Sequence, residues 1–268
     1  MNAPHTIAET ALPAPTRAAM GQSHIHESAR AQVAGAAHYI DDLPEVKGTL
    51  YAAPILSTVA HGRLNGVDAS AALALPGVRG VVLAGDVPGD KILAAFAHDE
   101  PVFAIDSVQF VGQVIGLVVA DSVMQARRAV RAVKLDITPL PAVLTVQDAL
   151  KAQSYVLPPV FVRRGDAATG LAQSAHRLSG AFEVGGQEHF YLEGQVAACL
   201  PQEGGDVVIH SSTQHPTEIQ HKVAHALHLP MSAVRVEVRR MGGGFGGKES
   251  QGNAPAVACA LAARMTGR

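Results

Sequence analysis

Apolar and polar residues alternate along the first half of the chain in patterns that predict both strands and a helix. β-Branched residues crowd 108–120 and are interrupted around Gly112, which predicts two strands or one bent, buried strand. Asp121 and Ser122 are candidate N-caps for 123–132, where apolar residues recur at helical spacing. Residues 134–138 alternate again like a strand. The succession of strand, helix and strand predicts a βαβ-like unit and therefore an α/β region.

The second half carries similar signals after a stretch of chain-breaking residues. Proline and glycine at 157–159 and 164–166 predict a linker. Beyond it, strands are predicted at 181–184, 207–211 and 234–239. One helix is predicted to open at 214–217 and to close at 228–230, and a last helix spans 255–265.

These boundaries divide the chain of 268 residues into three parts. Residues 1–22 are rich in alanine and proline and are expected to form a flexible leader. A first domain is expected over 23–150 and a second over 160–268. The sequence stops at Arg268, directly after the last helical pattern and without a cap or tail. We therefore expect a fragment boundary there and an incomplete second domain.

The composition is that of a globular protein, with 48% hydrophobic and 16% charged residues. A net charge of −2 argues against nucleic-acid binding, and no apolar run is long enough to cross a membrane. The two cysteines, Cys199 and Cys259, cannot hold an iron–sulfur cluster, which takes about four. Because the start of the sequence does not resemble a signal peptide, we expect free thiols and a cytoplasmic location.

A glycine-rich string at 241–250, MGGGFGGKES, follows directly on the strand predicted at 234–239. Glycines at this density allow positive φ and let backbone N–H groups approach a ligand closely. The glycine spacing fits the dinucleotide-binding fingerprint, but the chain ends where that motif needs an acidic residue. Residues 242–248 fit the phosphate-binding P-loop, but Glu249 replaces its Ser or Thr and would repel a triphosphate. A plain glycine-rich turn is the simplest alternative.

Four segments, taken in order, resemble the molybdenum hydroxylase family, to which xanthine dehydrogenase and aldehyde oxidase belong. Residues 27–42 resemble the opening of the family's hammerhead domain, and 185–193 (GGQEHFYLE) resemble its G-x-x-H-x-Y-x-E segment. Residues 212–214 (STQ) resemble the turn that precedes a helix in these enzymes, and 241–250 resemble the cofactor loop. Together the resemblance covers 21–268.

The resemblance implies a mixed α+β or α/β fold, with an a/b hammerhead domain followed by the first part of the molybdopterin-binding domain. It also implies a molybdenum–molybdopterin cofactor. Because the pterin's own dithiolene sulfurs hold the metal, no cysteine ligand is required. A partner subunit carrying 2Fe-2S clusters and FAD would receive the electrons, which implies a hetero-oligomer.

Individual residues take roles from the same resemblance. Gln214 matches a glutamine whose NH2 group donates to an oxo ligand of the molybdenum. Gly244, Phe245 and Gly246 match loop positions that bring the backbone close to the metal, so Gln214 and Phe245 would surround the molybdenum without ligating it. Glu249 matches a glutamate that contacts the purine, and burial would raise the pKa of this carboxyl. Taken alone, Gln214 fits a solvent-facing helix start and Phe245 fits core packing.

The implied activity is hydroxylation of hypoxanthine and xanthine to urate with water as the oxygen source. No catalytic residue is expected in this chain, because the family's base, a glutamate, lies beyond residue 268; the polypeptide alone is therefore expected to be inactive. Aldehyde oxidase or another N-heterocycle hydroxylase is an alternative. Glu249 argues against aldehydes, since aldehyde oxidases have an apolar residue there. An inactive fragment and a nucleotide-phosphate module built on 242–248 are further alternatives.

The histidines carry a weaker signal. His221, His225 and His228 share a helix face at a spacing that can bind zinc, but no nearby carboxylate or cysteine completes a ligand set. We expect a polar helix face there. His189 is expected to pack or to form hydrogen bonds rather than to take part in catalysis.

Overall fold

A computed structural model describes residues 21–93 and 97–268. The chain divides into two compact units, Met1–His38 and Tyr39–Arg268. In the described part of the first unit, helix α1 spans Ala29–Val33. All but the last two residues of the predicted leader, 1–22, lie outside the described residues.

The second unit contains the sheets and most of the helices. Its strands are β1 (Tyr51–Leu56), β2 (Gly62–Asp68), β3 (Val78–Leu83), β4 (Ser107–Val108), β5 (Val114–Ala120), β6 (Lys134–Pro139), β7 (Ala197–Pro201), β8 (Val207–Ser211) and β9 (Val234–Glu237). Its helices are α2 (Ser70–Leu73), α3 (Val123–Val130), α4 (Val146–Ala152), α5 (Ala167–Gln173), α6 (Pro216–Leu227) and α7 (Asn253–Thr266).

The strands form three sheets of three strands each. The orders are β1-β5-β3, β4-β2-β6 and β7-β8-β9. The first two sheets are antiparallel throughout, whereas β8 and β9 of the third run parallel. Of the stretch 108–120, predicted as two strands or one bent strand, β5 covers 114–120, whereas β4 includes only Val108. The βαβ-like unit is wrong, because β5 and β6 flank α3 but enter different antiparallel sheets.

Local chemistry accounts for the helix ends that the sequence predicts. The Ser122 side chain accepts a hydrogen bond from the Gln125 N–H and caps α3. Pro216 occupies the first turn of α6, where no N–H is needed. The last helix does have a cap, contrary to expectation: Gly267 adopts a φ of 71° and donates its N–H to the Ala263 carbonyl.

Aliphatic side chains of the first and third sheets and of α6 and α7 share one core, whereas the second sheet packs in a separate cluster that includes Val108 of β4. Val82 of β3 and Leu117 of β5 belong to the same buried cluster as Ile209 of β8, Val223 of α6 and Val257 of α7. Six of the seven residues of β5 are buried, as expected for a central strand. The core therefore fixes the third sheet and helices α6 and α7, which position the candidate site.

Residues 157–166 form neither helix nor strand, in agreement with the predicted linker. The strand predicted at 181–184 is wrong: Phe182 and Val184 are 91% and 71% exposed, and the segment pairs with no described strand. A strand needs a partner for its backbone groups, which alternation of side chains cannot supply. Ten further large apolar side chains between 155 and 192 are more than half exposed: Tyr155, Val156, Leu157, Val160, Phe161, Val162, Leu171, Leu178, Phe190 and Leu192.

Cys199 and Cys259 are free thiols, as predicted. Burial raises the pKa of Cys199 to about 12 and raises the pKa of Cys259 well above its ordinary value. Both thiols are therefore protonated at neutral pH. Among the described residues, no helix is long and apolar enough to cross a bilayer.

Candidate functional site

Two chain segments meet at one edge of the third sheet. Strands β8 and β9 are parallel neighbours, with His210 paired to Glu237 at their carboxyl ends. Residues 212–215, which follow β8 and lead into α6, therefore emerge beside residues 241–250, which follow β9 and lead toward α7. We call 241–250 the glycine loop. In open sheets with parallel strands, this edge is a usual place for ligands.

Gln214 is bonded to the glycine loop through both its backbone and its side chain. Its N–H donates to the Lys248 carbonyl over 2.8 Å. Its side-chain Oε1 accepts from the N–H of Gly246 over 3.0 Å and from the N–H of Lys248 over 3.2 Å. Because both loop groups are donors, they fix the orientation of the amide. Its other polar group, the NH2, is left as a donor.

The glycine loop approaches Gln214 too closely for side chains at some positions. A Cβ built on Gly244 would lie 2.6 Å from the Gln214 Oε1 and 2.8 Å from the Met241 Cε. Phe245 has a φ of 52°, a conformation that costs energy for a residue with a Cβ, and its side chain is 75% exposed. The Phe245 side chain therefore does not pack in the core. The loop instead presents an aromatic ring and its backbone to the surroundings.

A buried ion pair lies beneath the loop. Lys248 is 0% exposed, and its Nζ donates to the Glu193 carbonyl over 2.6 Å and to the Ser212 Oγ over 2.7 Å. The Nζ also lies 3.5 Å from the Glu193 Oε2 and 4.4 Å from the centroid of the Tyr191 ring. The Glu193 Oε2 accepts from the Gly242 N–H over 2.7 Å and from the Ser212 hydroxyl over 2.6 Å.

These contacts decide the charge state of Glu193. Burial acts to raise the pKa of its carboxyl. The hydrogen bonds from Gly242 and Ser212 and the charge of Lys248 outweigh burial, so the pKa lies below its ordinary value. Glu193 is therefore an anion at neutral pH, paired with the ammonium group of Lys248.

The environment of Lys248 bears on the P-loop alternative. A P-loop lysine must extend its ammonium group to the phosphates that lie over the loop. Here the ammonium group points under the loop and is bonded to Glu193 and Ser212. The geometry therefore does not support a phosphate site at 242–248.

The segment that ends in Glu193 supports the loop from one side. The His189 Nδ1 and the Tyr191 ring would lie within 2.9 Å of a Cβ built on Gly247. The Gln195 NH2 donates to the Tyr191 hydroxyl over 3.0 Å and to the Gly247 carbonyl over 3.2 Å. His189 thus packs against the loop, in line with the role expected for it.

Glu249 lies at the rim of an open groove of about 650 Å³, which Gln214 and the exposed face of α6 also line. Its side chain is exposed, so the burial expected for it is not observed. His221 and His225 lie on the same groove with ring centroids 6.3 Å apart. Among residues 21–93 and 97–268, no group of three or more potential ligands could hold a metal ion.

The structure thus brings Gln214, Gly244, Phe245 and Gly246 together and places Glu249 beside them. Glu193 and Lys248 were not predicted as functional residues. Both nevertheless lie inside the motifs that carried the resemblance, Glu193 at the end of 185–193 and Lys248 within the glycine loop. Their charge inside these motifs was the available signal, but Glu188 and Glu249 in the same two motifs carry charge as well, so the signal was not specific.

Two family models match successive parts of the chain. The a/b hammerhead domain of aldehyde oxidase and xanthine dehydrogenase matches residues 34–141, and the molybdopterin cofactor-binding domain matches residues 151–268. The chain is 41% identical to xanthine dehydrogenase/oxidase of Gallus gallus over 250 residues, which are 93% of this chain and 18% of that protein. It is 43% identical to xanthine dehydrogenase of Oryza sativa subsp. japonica over 249 residues, 91% of this chain and 18% of that one.

Solved structures show the same fold. Quinoline 2-oxidoreductase from Pseudomonas putida 86 has a TM-score of 0.77 at 26% identity, covering 92% of this chain and 34% of that chain. Aldehyde oxidoreductase from Desulfovibrio gigas also has a TM-score of 0.77, at 29% identity, covering 90% of this chain and 29% of that chain. The chain spans less than a fifth of the length of the relatives cited above. It combines a hammerhead domain with a molybdopterin cofactor-binding domain and belongs to the molybdenum hydroxylase family.

Proposed function

We propose that the glycine loop and Gln214 hold a molybdenum–molybdopterin cofactor in an enzyme that hydroxylates purines with water as the oxygen source. The observation that carries the proposal is the orientation of Gln214. Two loop N–H groups occupy its oxygen, so the amide offers an uncharged NH2 donor at the loop. An uncharged donor suits an oxygen ligand of a metal whose sulfur ligands come from the cofactor itself.

The donor set at the loop fits this cofactor better than it fits a bare metal ion. Among the described residues, no cluster of three or more His, Cys, Asp or Glu side chains could ligate an ion directly. Backbone N–H groups, an amide and an exposed aromatic ring are present instead, and such groups surround a ligand without coordinating a metal. When bound, the cofactor supplies the redox chemistry; Gln214, Gly244, Phe245 and Gly246 of this chain orient it and limit the access of water.

Glu249 supports a purine as the substrate. Its carboxyl lies on the same groove as Gln214 and is free to accept a hydrogen bond from a ring N–H. An aldehyde offers no such donor, so the carboxylate would be desolvated without compensation. Hypoxanthine and xanthine, with urate as the product, are therefore the proposed substrates. A quinoline-type heterocycle is the second candidate, because the fold is shared with quinoline 2-oxidoreductase.

The surface of residues 155–192 supports a larger assembly. Twelve large apolar side chains are more than half exposed there, which is unusual for a surface that faces only water. We propose that the complete enzyme includes a subunit or domain with 2Fe-2S clusters and FAD, since this chain has only two cysteines, both half-buried. The base that completes the reaction is proposed to lie outside these 268 residues.

The substrate test compares the complete enzyme with its Glu249→Ala variant on xanthine, benzaldehyde and quinoline. We expect kcat/KM for xanthine to fall about 10–100-fold, the usual cost of losing a hydrogen bond to a charged group. The values for the other two compounds should change little. Glu203→Ala, at an exposed glutamate in a 3-10 turn, is the control. Faster turnover of benzaldehyde or quinoline than of xanthine by the wild type would contradict a purine substrate.

A further inference from the structure

The ion pair beneath the glycine loop joins both ends of that loop to one carboxylate. At the first end, the Gly242 N–H donates to the Glu193 Oε2 over 2.7 Å. At the other end, the ammonium group of Lys248 lies 3.5 Å from the same oxygen and donates to the Glu193 carbonyl. Both ends of the loop are therefore held by Glu193, a residue that lies about 50 positions away in the chain.

Ser212 connects this ion pair to the turn that carries Gln214. Its hydroxyl donates to the Glu193 Oε2 over 2.6 Å and accepts from the Lys248 Nζ over 2.7 Å. Thr213, the next residue, donates its hydroxyl to the Lys248 carbonyl over 3.2 Å. The same carbonyl accepts the Gln214 N–H, so one residue, Lys248, is bonded to three successive residues of the turn.

The two charges of the pair are buried, and each is compensated by only a few partner groups. Lys248 is 0% exposed, and the Glu193 side chain is 8% exposed. A buried charge that loses its partner is strongly destabilising, whereas an intact pair with further hydrogen bonds holds its groups in one arrangement. Neither charged group lines the groove on which Gln214 and Glu249 lie. The pair therefore acts on that groove through other residues.

We propose that Glu193 and Lys248 are positioning residues, whose buried ion pair fixes the glycine loop against Gln214 and so aims the Gln214 NH2 group at the bound cofactor. The first part concerns this chain alone: without the pair, the N–H groups of Gly246 and Lys248 lose their fixed distance to the Gln214 oxygen. The second part rests on the proposed function, since it names what the NH2 group meets.

The test uses the complete enzyme with Glu193→Gln and Lys248→Met, one variant at a time. Glu193→Gln keeps the side-chain length, Lys248→Met shortens it by one atom, and each replacement removes one charge. The first readout is amide hydrogen exchange of the peptide covering residues 241–250. We expect exchange there to be roughly tenfold faster in each variant, because the loop opens locally without global unfolding. Ile209→Val, at a fully buried core position of β8, is the control for a general loss of stability. In this control variant, amide exchange of the loop peptide should not become faster relative to exchange in the rest of the third sheet.

The second readout separates positioning from substrate contact. We expect kcat to fall roughly tenfold in both variants while KM for the substrate stays within about twofold, since neither residue lines the groove. If Lys248→Met does not accumulate, Glu193→Gln decides, because a neutral amide can still accept the Gly242 N–H and should fold. Folded variants with wild-type loop exchange, or with an unchanged kcat, would overturn the proposal.

The two readouts also separate this proposal from the proposed function. If the wild-type enzyme contains no molybdenum, the proposed function fails, and the exchange experiment still decides whether the pair fixes the loop. If molybdenum is present and the loop of both variants exchanges like that of the wild type, the cofactor assignment stands and the positioning role is lost.

Discussion

Gly244 shows at the scale of one residue how tightly the loop and Gln214 fit. We expect Gly244→Ala to lower the free energy of unfolding by about 1–3 kcal/mol, since the added Cβ would have to displace an amide and a methionine methyl group. Displacement of the amide should also reduce the molybdenum content of the purified enzyme. Urea unfolding and metal analysis of the same preparation measure both effects.

Gly170→Ala is the matched control for that substitution. Gly170 lies within α5, and a Cβ there would meet nothing within 4 Å. Alanine should raise helix stability by about 0.5–1 kcal/mol and leave the molybdenum content unchanged. Equal effects of the two substitutions would show that the close approach at Gly244 has no energetic weight.

Sequence patterns predicted one group of site residues and missed another, for a physical reason. Gln214 and Phe245 each stand in a short motif whose residues are adjacent in the chain, so each can be singled out without knowledge of tertiary contacts. Glu193 and Lys248 are 55 positions apart, before β7 and after β9, and their pairing depends on how β7, β8 and β9 are ordered in the third sheet. Their burial is a tertiary property, which local sequence does not encode.

The bounds of helices α3 and α6 follow from local sequence, whereas the sheets entered by the strands around α3 do not. The sequence places α6 and α3 nearly to the residue, because caps, proline and helical spacing are local signals. It does not reveal that the strands before and after α3 enter different sheets. Strand partners are chosen by the packing of distant apolar faces, so alternation predicts a strand but not its neighbour.

Helix α6 ends in a conformation that glycine would adopt more easily than histidine. His228 closes the helix with a φ of 55°. We expect His228→Gly to stabilise the protein by up to about 1 kcal/mol, because the left-handed strain is relieved. His221→Gly, at an exposed position inside the same helix, should destabilise the protein by about 1 kcal/mol. Thermal unfolding of both variants is the measurement; destabilisation of similar size in both would contradict this account of the helix end.

At the scale of the whole molecule, one core joins the segments matched by the two family models. Val82 and Leu117 from residues 34–141 and Ile209, Val223 and Val257 from residues 151–268 belong to one buried cluster. The predicted domains, 23–150 and 160–268, therefore share hydrophobic packing in the second unit. Patterns along the sequence predict two parts from their motifs, but they carry no information on a common core.

We propose that the loop around Phe245 and the amide of Gln214 surround a molybdenum cofactor and not a phosphate. The most direct measurement is the molybdenum content of the purified complete enzyme. A second molybdenum enzyme, produced in the same cells, is the control that these cells make and insert the cofactor. We predict about one molybdenum atom per chain, as expected for a tightly bound cofactor. A preparation that lacks molybdenum and binds ATP with magnesium would contradict the account.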